Sequence, residues 1–589
     1  MRVHEYTTLA WSWVRGGAAL ALLLGALLAV AAPARAEVEV AVTGVEGELA
    51  EQVRSYVGTP SSAEPAAVAA FRRRAPERAQ RGLQAVGYYQ AQIDVRRERL
   101  DDDRLRLTVA VVPGEPVTID ELDVLITGEA SSDPAFLGIE QRLPIAEGQV
   151  LHHGAYASAR QAIQNLALDR GYFSGTFITR RVAVAPEAGR AEVTLHYHSG
   201  PRYHFGEVRF SESPLADTFL QRLVPFERGE PYTAEQVAAF NQGLLDSGYF
   251  EDVRVRPSRQ EAEGGVVPVA ADLTARARHE ITTGVGFSTD LGPRVRLGWK
   301  RPWVNRWGHS LAIDAEIAQR QQNVVSTYKV PLRDPLRSSL QYRFGLQAQD
   351  VADIETEQMT AAVQHRHRFD SGWQQILSLR AERERYWIEG VRRTTRLYLP
   401  AVSWTRGRSR GGLDPSWGDR QELTLEAADP ALGSDIELRR VHAATRWVRT
   451  LGDRHRLTAR LEAGALETDA FEDVPPSLRF FAGGDQSVRG YAYRSLGPEV
   501  EGTVIGGRYL AVGSLTYGYQ LTPSWRPAVF VDQGNAYASL DELGSKAKTG
   551  AGVGIRWSSP VGPVRLDLAS TVGEADDSWR IHFSLGSSL

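Results

Sequence analysis

The chain has 589 residues, with 68 basic and 72 acidic side chains, a formal net charge of −4 and no cysteine. Its length exceeds that of an ordinary single domain, so several domains are expected. The balanced charge argues against a nucleic-acid partner. The absence of cysteine excludes disulfides, thiolate metal sites and cysteine nucleophiles.

Residues 1–36 have the pattern of a secretory signal peptide. An apolar stretch at 18–32 is followed by Ala34 and Ala36, the small residues that a signal peptidase requires. A retained membrane helix is the alternative, but the stretch is short for a bilayer that takes about 20 residues to cross. We therefore predict an exported protein that is cleaved after Ala36.

A glycine followed by two aromatic residues occurs three times in the first half of the chain. Gly87, Gly171 and Gly248 are 171 − 87 = 84 and 248 − 171 = 77 residues apart. Each glycine is expected to end a helix in a left-handed turn, which glycine enters without steric cost. The apolar residues at helical spacing before the glycines are Ala75, Ala79, Leu83, Ala159, Ile163, Leu166, Val237, Phe240 and Leu244. The apolar residues that alternate as in a strand after them are Leu105, Leu107, Val109, Val111, Ala191, Val193, Leu195, Tyr197, Val267, Val269, Ala271 and Leu273.

These repeats predict three α+β modules in tandem, at 37–115, 116–202 and 203–277, each with the order strand, two helices, two strands. Three unrelated domains are the alternative. The pattern resembles the POTRA domain over roughly residues 38–277. The resemblance implies a periplasmic arm that binds clients and partners by strand addition at an open sheet edge.

Residues 278–589 lose the helical period and predict an all-β transmembrane barrel. Alternation places Arg556, Arg565 and Asp567 on one face of their strands and apolar residues on the other. A soluble sandwich with one wet face is the alternative. A charge facing lipid would cost about 2–4 kcal/mol at mid-membrane, so these charges are expected in the lumen.

The length of this region sets the number of strands. It holds 589 − 277 = 312 residues, which at about 20 residues for each strand and its connection predicts about 16 antiparallel strands. Periodicity alone does not separate about 14 strands from about 18.

The first and last barrel strands are expected to meet at a lateral seam. Gly284 and Gly286 in the first strand add no side-chain packing, and Gly586 permits a bend after the last strand. The residues of the last strand that are expected to face outward are Trp579, Ile581, Phe583 and Leu585. Those that are expected to face the lumen are Arg580, His582 and Ser584.

The most specific segment of the chain is a glycine-rich loop at residues 480–493. It contains Gly483 and Gly484, followed by the core Val488-Arg489-Gly490-Tyr491. An arginine inside a barrel needs an acidic or carbonyl partner. An ordinary surface loop with a solvated arginine is the alternative.

A strand downstream of this loop offers the partner. Val529 and Val531 are expected to face lipid, so Asp532 and Gly534 are expected to face the lumen. Asp532 is therefore the expected carboxylate near Arg489, directly or through the loop backbone. Gly534 is expected to leave space for the loop.

The loop core and the Asp-x-Gly strand resemble conserved motifs of the BamA/TamA superfamily of outer-membrane protein assembly factors. Segments 513–517, 530–534, 548–550 and 559–563 are most similar to the TamA branch. In the family, the loop folds back into the barrel and its arginine contacts the inner wall. Thr516 departs from the branch, in which a glutamate is expected.

The resemblance implies a protein of the bacterial outer membrane that inserts client β-barrel proteins, such as autotransporters, through the seam. It implies as partners an inner-membrane-anchored TamB-like protein, unfolded outer-membrane proteins and outer-membrane lipids. A two-partner secretion pore is the alternative, and a passive porin would have no use for the arm. No nucleophile elbow, Walker loop or zinc-protease motif occurs, so we predict no enzyme, catalytic residue, metal or cofactor. His365 and His367 are interpreted as lumen or loop residues.

Overall fold

The computed structural model describes residues 38–100, 105–388, 390–412, 414–560, 562–574 and 578–585. Within these ranges, no helix is both long enough and apolar enough to cross a membrane. The chain divides into two compact units. One unit contains the first two modules and short segments of the third, and the other contains the rest of the third module and the barrel.

Each module contains a three-stranded sheet whose last strand lies in the centre, in the orders β1-β3-β2, β4-β6-β5 and β7-β9-β8. The first module contains β1 (Val38–Thr43), α1 (Gly47–Val57), α2 (Pro65–Ala85), β2 (Gln92–Arg99) and β3 (Leu105–Val112). The second contains β4 (Thr118–Thr127), α3 (His153–Asp169), β5 (Thr176–Ala185) and β6 (Arg190–His198). The third contains β7 (His204–Phe210), α4 (Asp217–Leu220), α5 (Ala234–Asp246), β8 (Phe250–Pro257) and β9 (Val266–Ala275).

The predicted apolar faces form the cores of the modules. In the central strand of the first module, Leu107 and Val109 are fully buried beneath α2 residues such as Leu83. The second module repeats this arrangement with Leu195 of β6 and Ile163 of α3. Burying each such side chain contributes about 1.5–3 kcal/mol, so these cores hold helices and sheet together.

Two long helices occur only in the first module, so the expected order was wrong for the second. There, two 3₁₀ turns, Glu129–Ser132 and Ile139–Arg142, stand where the first helix was expected. Pro134 and Gly138 interrupt the intervening segment, and neither residue supports a continuous helix. In the third module the first helix, α4, has only four residues.

The three repeated glycines adopt the left-handed backbone that was predicted, with φ of 94° at Gly87, 85° at Gly171 and 76° at Gly248. Two of them also join successive modules. The carbonyl of Gly87 accepts the N–H of Val117 at 2.9 Å, and that of Gly171 accepts the N–H of Tyr203 at 2.9 Å. The glycine-aromatic corner therefore ends a helix and contacts the strand that leads into the next module.

The second half of the chain is a closed barrel of 16 strands, which confirms the predicted architecture. The first eight strands are β10 (Glu280–Ser288), β11 (Gly292–Arg301), β12 (Ser310–Ala318), β13 (Gln321–Pro331), β14 (Ser338–Val351), β15 (Ile354–Arg368), β16 (Gln374–Ile388) and β17 (Val391–Arg410). They are followed by β18 (Trp417–Ala428), β19 (Leu438–Leu451) and β20 (His455–Glu467). The short hairpin β21 (Glu499–Val500) and β22 (Thr503–Val504) lies outside the wall. The wall continues with β23 (Tyr509–Tyr519), β24 (Trp525–Tyr537), β25 (Lys548–Ser559), β26 (Gly562–Val572) and β27 (Trp579–Leu585).

Alternation along the strands separates an apolar outer surface from a polar lumen. On β24, Val529 and Val531 are 52% and 44% exposed on one face of the strand. Asp532, on the opposite face, is fully buried. Asp567 on β26 is buried in the same way. The strand period of two therefore keeps carboxylates away from lipid, as their cost in hydrocarbon requires.

The third module packs against the turns at one end of the barrel. The Tyr249 hydroxyl donates to the Gly308 carbonyl at 2.6 Å, and the Ala216 N–H donates to the Arg306 carbonyl at 2.9 Å. Burial raises the pKa of Tyr249, so this phenol remains a donor. The turn between β11 and β12 is thereby fixed to the last module of the arm.

Candidate functional site

The long connection between β20 and β23, residues 468–508, folds into the barrel. Its apolar residues Leu478, Phe480 and Val488 are buried in one cluster with wall residues such as Leu399 and Val512. This connection, hereafter the lumen loop, is therefore a packed part of the structure, which makes the alternative of a solvated surface loop untenable.

Arg479 fixes the base of the lumen loop. It is 5% exposed, and its guanidinium donates to the carbonyls of Val474 at 2.8 Å, Ile505 at 3.0 Å and Glu472 at 2.9 Å. These bonds tie both ends of the loop together without a carboxylate. Sequence reasoning did not single out this residue.

Arg489, near the middle of the loop, contacts Asp532 directly and through its backbone. Its Nε donates to Asp532 Oδ2 at 2.6 Å and its Nη2 to Oδ1 at 2.8 Å, a bidentate pair. The Arg489 backbone N–H donates to the same Oδ2 at 3.0 Å. The third nitrogen, Nη1, donates to Asp567 Oδ2 on β26 at 3.1 Å. All three residues are at most 4% exposed, so the loop is held by buried charge-assisted bonds.

Neutral groups of the wall complete this network. The guanidinium carbon of Arg489 lies 3.4 Å from the centre of the Phe530 ring, which places the cation over an aromatic face. Thr516 accepts a bond from Arg489 Nη2 at 3.1 Å, in the position where the resemblance implies a glutamate. The second carboxylate around Arg489 is instead supplied by Asp567.

Glycines give the lumen loop its shape. Gly483, Gly484 and Gly490 have φ of 95°, 105° and 97°, a region that side chains rarely adopt. The expectation that Gly534 leaves space for the loop is wrong, because a methyl group there would meet the Ala511 carbonyl and Val512 of the neighbouring strand. The glycine that admits the loop is Gly550 on β25, where a methyl group would overlap the carbonyl oxygen of Arg489.

We expect Gly550→Ala to displace the lumen loop, because overpacking a tight buried contact costs about 1–3 kcal/mol. Limited proteolysis of folded protein in detergent should therefore cleave residues 468–508 roughly 5- to 100-fold faster. Gly513→Ala on β23 is the control, since its nearest contact would be Leu461 at an ordinary 3.4 Å. Equal cleavage of both variants and the unaltered protein would show that the contact does not position the loop.

The lumen loop also contacts both sides of the seam between β10 and β27. On one side, the Asp485 N–H donates to Asp290 Oδ2, in the turn after β10, at 2.8 Å. On the other, the Gly490 N–H bonds to His582 Nε2 of β27 at 3.1 Å. Tyr491 donates to Glu574 at 3.1 Å, beside the Lys548–Glu574 ion pair. Burial raises the pKa of Tyr491, which keeps its hydroxyl a donor.

The described parts of β10 and β27 meet at the end of β10. Among the described residues, Phe287 pairs with Leu585 and Ser288 with Ser584, and the Thr289 N–H donates to the Phe583 carbonyl at 3.1 Å. Gly286 lies beside the Leu585 carbonyl, and Gly284 is in register with Arg296 of β11. Trp579 and Ile581 are in register with β26 and are 66% and 60% exposed.

Asp290 makes the contact between lumen loop and seam sensitive to pH. Burial and the neighbouring Asp485 carboxylate raise the pKa of Asp290 to about 7, and Arg580 only partly offsets this. A raised pKa means that the Asp290 carboxylate binds its proton more tightly when the lumen loop is docked than when Asp290 is solvated. Docking is therefore strongest below the ordinary pKa of 3.8 and weakens until about pH 7.

We expect the thermal stability of the barrel in detergent to fall between pH 5 and pH 8. Part of this fall comes from Asp290 and should be absent in Asp290→Asn. One pKa unit corresponds to about 1.4 kcal/mol, so this component is at most about 4 kcal/mol. Asp541→Asn in an exposed loop is the control. If the Asp290 and Asp541 variants keep the same pH dependence as the unaltered protein, Asp290 does not titrate in this range.

Other predicted site residues lie elsewhere. Ala34, Ala36 and Gly586 fall outside the described residues. His365 and His367 stack at 6.4 Å, and His365 bonds to Ser338. No group of three or more metal-binding side chains of suitable arrangement occurs in the part of the chain that the structure describes.

Comparison with known proteins identifies the family. Residues 305–589 match the Omp85 superfamily domain, and residues 39–113 match the POTRA domain described as TamA domain 1. Residues 203–275 match a POTRA domain described as a surface antigen variable number repeat. Residues 305–589 are thus an Omp85 superfamily domain, which POTRA domains precede. The chain is a protein of the bacterial outer membrane, and its POTRA domains lie in the periplasm.

Two curated relatives are outer membrane protein assembly factors named BamA. The Nitratidesulfovibrio vulgaris protein is 29% identical over 195 residues, which cover 31% of this chain and 25% of that protein. The Neisseria meningitidis protein is 20% identical over 569 residues, which cover 85% of this chain and 71% of that protein. The crystal structure of Haemophilus ducreyi BamA lacking POTRA domains 1-3 is similar in fold, with a TM-score of 0.68 at 18% identity. That match covers 80% of this chain and 99% of the other.

Several contacts of the lumen loop were not predicted from the sequence. They include those made by Phe530, Asp567 and His582. A signal existed for Asp567, because one carboxylate cannot satisfy the five N–H groups of a guanidinium and Asp567 already faced the lumen. The sequence offered no comparable signal for His582.

Proposed function

We propose that this protein inserts β-barrel client proteins into the outer membrane through the seam between β10 and β27. The observation that carries the proposal is that the lumen loop bonds to both sides of that seam, through Asp485 to Asp290 beside β10 and through Gly490 to His582 of β27. Movement of the loop would therefore release both edges of the seam together.

The chemistry of an open seam explains how a client would be handled. Opening the seam would leave the edge of β10 that faces β27 without its backbone partners, while the other edge stays paired with β11. Each unpaired backbone polar group in hydrocarbon costs several kcal/mol, and an incoming client strand satisfies it. Client folding supplies the driving force, so the proposed reaction needs neither nucleotide nor cofactor.

The finer proposal is a TamA-type factor with a TamB-like partner anchored in the inner membrane. The match of residues 39–113 to TamA domain 1 supports it. We propose that this partner docks on the first module, where β1 and β2 form the two sheet edges, and that autotransporters are clients. Outer-membrane lipids would surround the barrel and fill the opened seam.

Reconstitution tests the function. Proteoliposomes containing the full chain should fold a urea-unfolded autotransporter β-domain at least about tenfold faster than liposomes with a porin or with lipid alone, a difference of about 1.4 kcal/mol in barrier. Folding is followed by the heat-dependent shift of barrels on gels. A secretion pore would instead carry a soluble passenger into the vesicle, where it resists added protease, without folding the β-domain.

Site-specific photo-crosslinking tests the partner. A crosslinker at Glu39 on β1 or Arg97 on β2 should capture a TamB-like protein in cells, and one at Arg73 on the helical side should not. Capture from Arg73 alone would contradict docking by strand addition.

A further inference from the structure

The lumen contains a cavity of about 330 Å³ whose wall is strongly basic. Nine of its lining residues are arginines and three are aspartates. Three further carboxylates, Asp532, Asp567 and Glu422, pair with lining arginines from outside the cavity surface. Within the described lining itself, guanidinium groups, which are always charged, therefore outnumber carboxylates by 9 − 3 = 6.

Six of the arginines form two rows across neighbouring strands. Arg420, Arg446 and Arg460 are directly opposite one another on β18, β19 and β20. Arg526, Arg556 and Arg565 are directly opposite one another on β24, β25 and β26. Like charges in opposite positions destabilise a sheet, so these rows require compensation.

Protein groups compensate some of these charges. Arg526 bonds to Asp414 at 3.0 Å, and Arg556 bonds to Asp567 at 2.5 Å. Both contacts are charge-assisted, and they compensate the charges of the second row except that of Arg565. Among the described residues, Arg565 and Arg460 make no such charge-assisted bond, since each donates to a neutral oxygen.

Arg460 and Arg565 each have a buried nitrogen with no hydrogen-bond partner among the described residues. These atoms are Arg460 Nε and Arg565 Nη2. Arg460 uses Nη2 to bond the Ser487 carbonyl at 2.6 Å, and Arg565 uses Nε to bond Ser584 at 3.2 Å. The carboxylate that pairs with Arg565 Nη2, Asp485 Oδ2, is 3.9 Å away, beyond hydrogen-bond distance. A buried donor without an acceptor costs free energy. We therefore expect both nitrogens to bond to an acceptor inside the cavity.

We propose that this cavity binds a phosphate-type oxyanion between Arg460 and Arg565. Both guanidinium groups line this one cavity, so an anion bound there reduces the repulsion between their charges. A phosphate offers more acceptor oxygens than a carboxylate and matches the planar fork of arginine. The cavity has room for such a group and several waters, each of which occupies about 30 Å³ in the liquid. The phosphate comes either from free inorganic phosphate or from a phospholipid headgroup.

Binding is tested on the full chain in a detergent without phosphate. Inorganic phosphate is titrated calorimetrically, and phosphatidylglycerol is added in native mass spectrometry with phosphatidylcholine as the comparison. We expect saturable binding at one site, weakened about tenfold or more by Arg460→Gln and by Arg565→Gln, as the loss of a charge-assisted bond predicts. Arg439→Gln, whose side chain is 68% exposed, is the control and should leave binding unchanged.

The outcomes distinguish the sources and can refute the site. Saturable binding of phosphate alone assigns the site to a free anion, and selective retention of phosphatidylglycerol that both glutamine variants weaken assigns it to a headgroup. Absence of saturable binding to the unaltered protein by either probe overturns the proposal, whether or not the variants fold. Equal affinity in both cavity variants and in Arg439→Gln also overturns it. Arg460→Lys, which keeps the charge, should recover part of the affinity.

Discussion

Arg489→Ala is expected to reduce client folding to the rate of liposomes without protein while the barrel still forms. The substitution removes both bonds to Asp532 and the bond to Asp567. Asp567 keeps Arg556 at 2.5 Å, but among the described residues Asp532 keeps one side-chain hydrogen bond, from the Ser514 hydroxyl at 2.6 Å. A buried charge that loses its partner costs about 3–5 kcal/mol, which corresponds to more than a hundredfold shift away from the docked loop.

A second substitution separates loop docking from barrel stability. In Arg489→Ala with Asp532→Asn, the orphaned charge is gone, so thermal stability should recover in detergent while client folding does not. Arg439→Ala, at an exposed arginine outside the lumen, should behave like the unaltered protein in both measurements. Client folding at the unaltered rate by Arg489→Ala would refute a role for the docked loop.

The parts of the fold that the sequence predicted are those set by periodicity. A period of two assigned Asp532 and Asp567 to the lumen because the opposite face of each strand must meet lipid. The second module was harder, because the short segment around Pro134 and Gly138 forms 3₁₀ turns that carry no helical period. Length predicted the strand count because strands and their connections have a narrow range of sizes in such barrels.

Contacts of the candidate site depend on geometry that the sequence does not encode locally. The pairing of Arg489 with Asp532 could be predicted because a buried charge is costly unless a group of opposite charge binds it. The bond between Asp485 and Asp290 joins residues 195 positions apart, and it depends on how deeply the loop enters the closed barrel. The clearance at Gly550 rather than Gly534 likewise depends on the path of the loop across β25. Such contacts follow from barrel closure and loop depth, so only the three-dimensional structure shows them.

A disulfide across the seam is expected to abolish client insertion if the seam must open. Ser288 and Ser584 are directly opposite each other on β10 and β27. The chain contains no cysteine, so Ser288→Cys with Ser584→Cys creates a single possible disulfide. Opposed residues of antiparallel strands have Cβ atoms about 4.5–5.5 Å apart, which small strand movements bring within disulfide range.

The matched control is Ser378→Cys with Ala401→Cys, a directly opposite pair of small residues on β16 and β17, remote from the seam in strand order. Oxidation should stop client folding only in the seam variant, because its disulfide joins β10 to β27. Reduction should restore folding. The control disulfide joins β16 to β17 and leaves the seam free to open. Equal folding rates in the oxidised and reduced seam variant would mean that clients do not pass between these strands. The soluble-passenger assay would then decide for transport through the lumen, for which the docked loop rather than the seam would have to move.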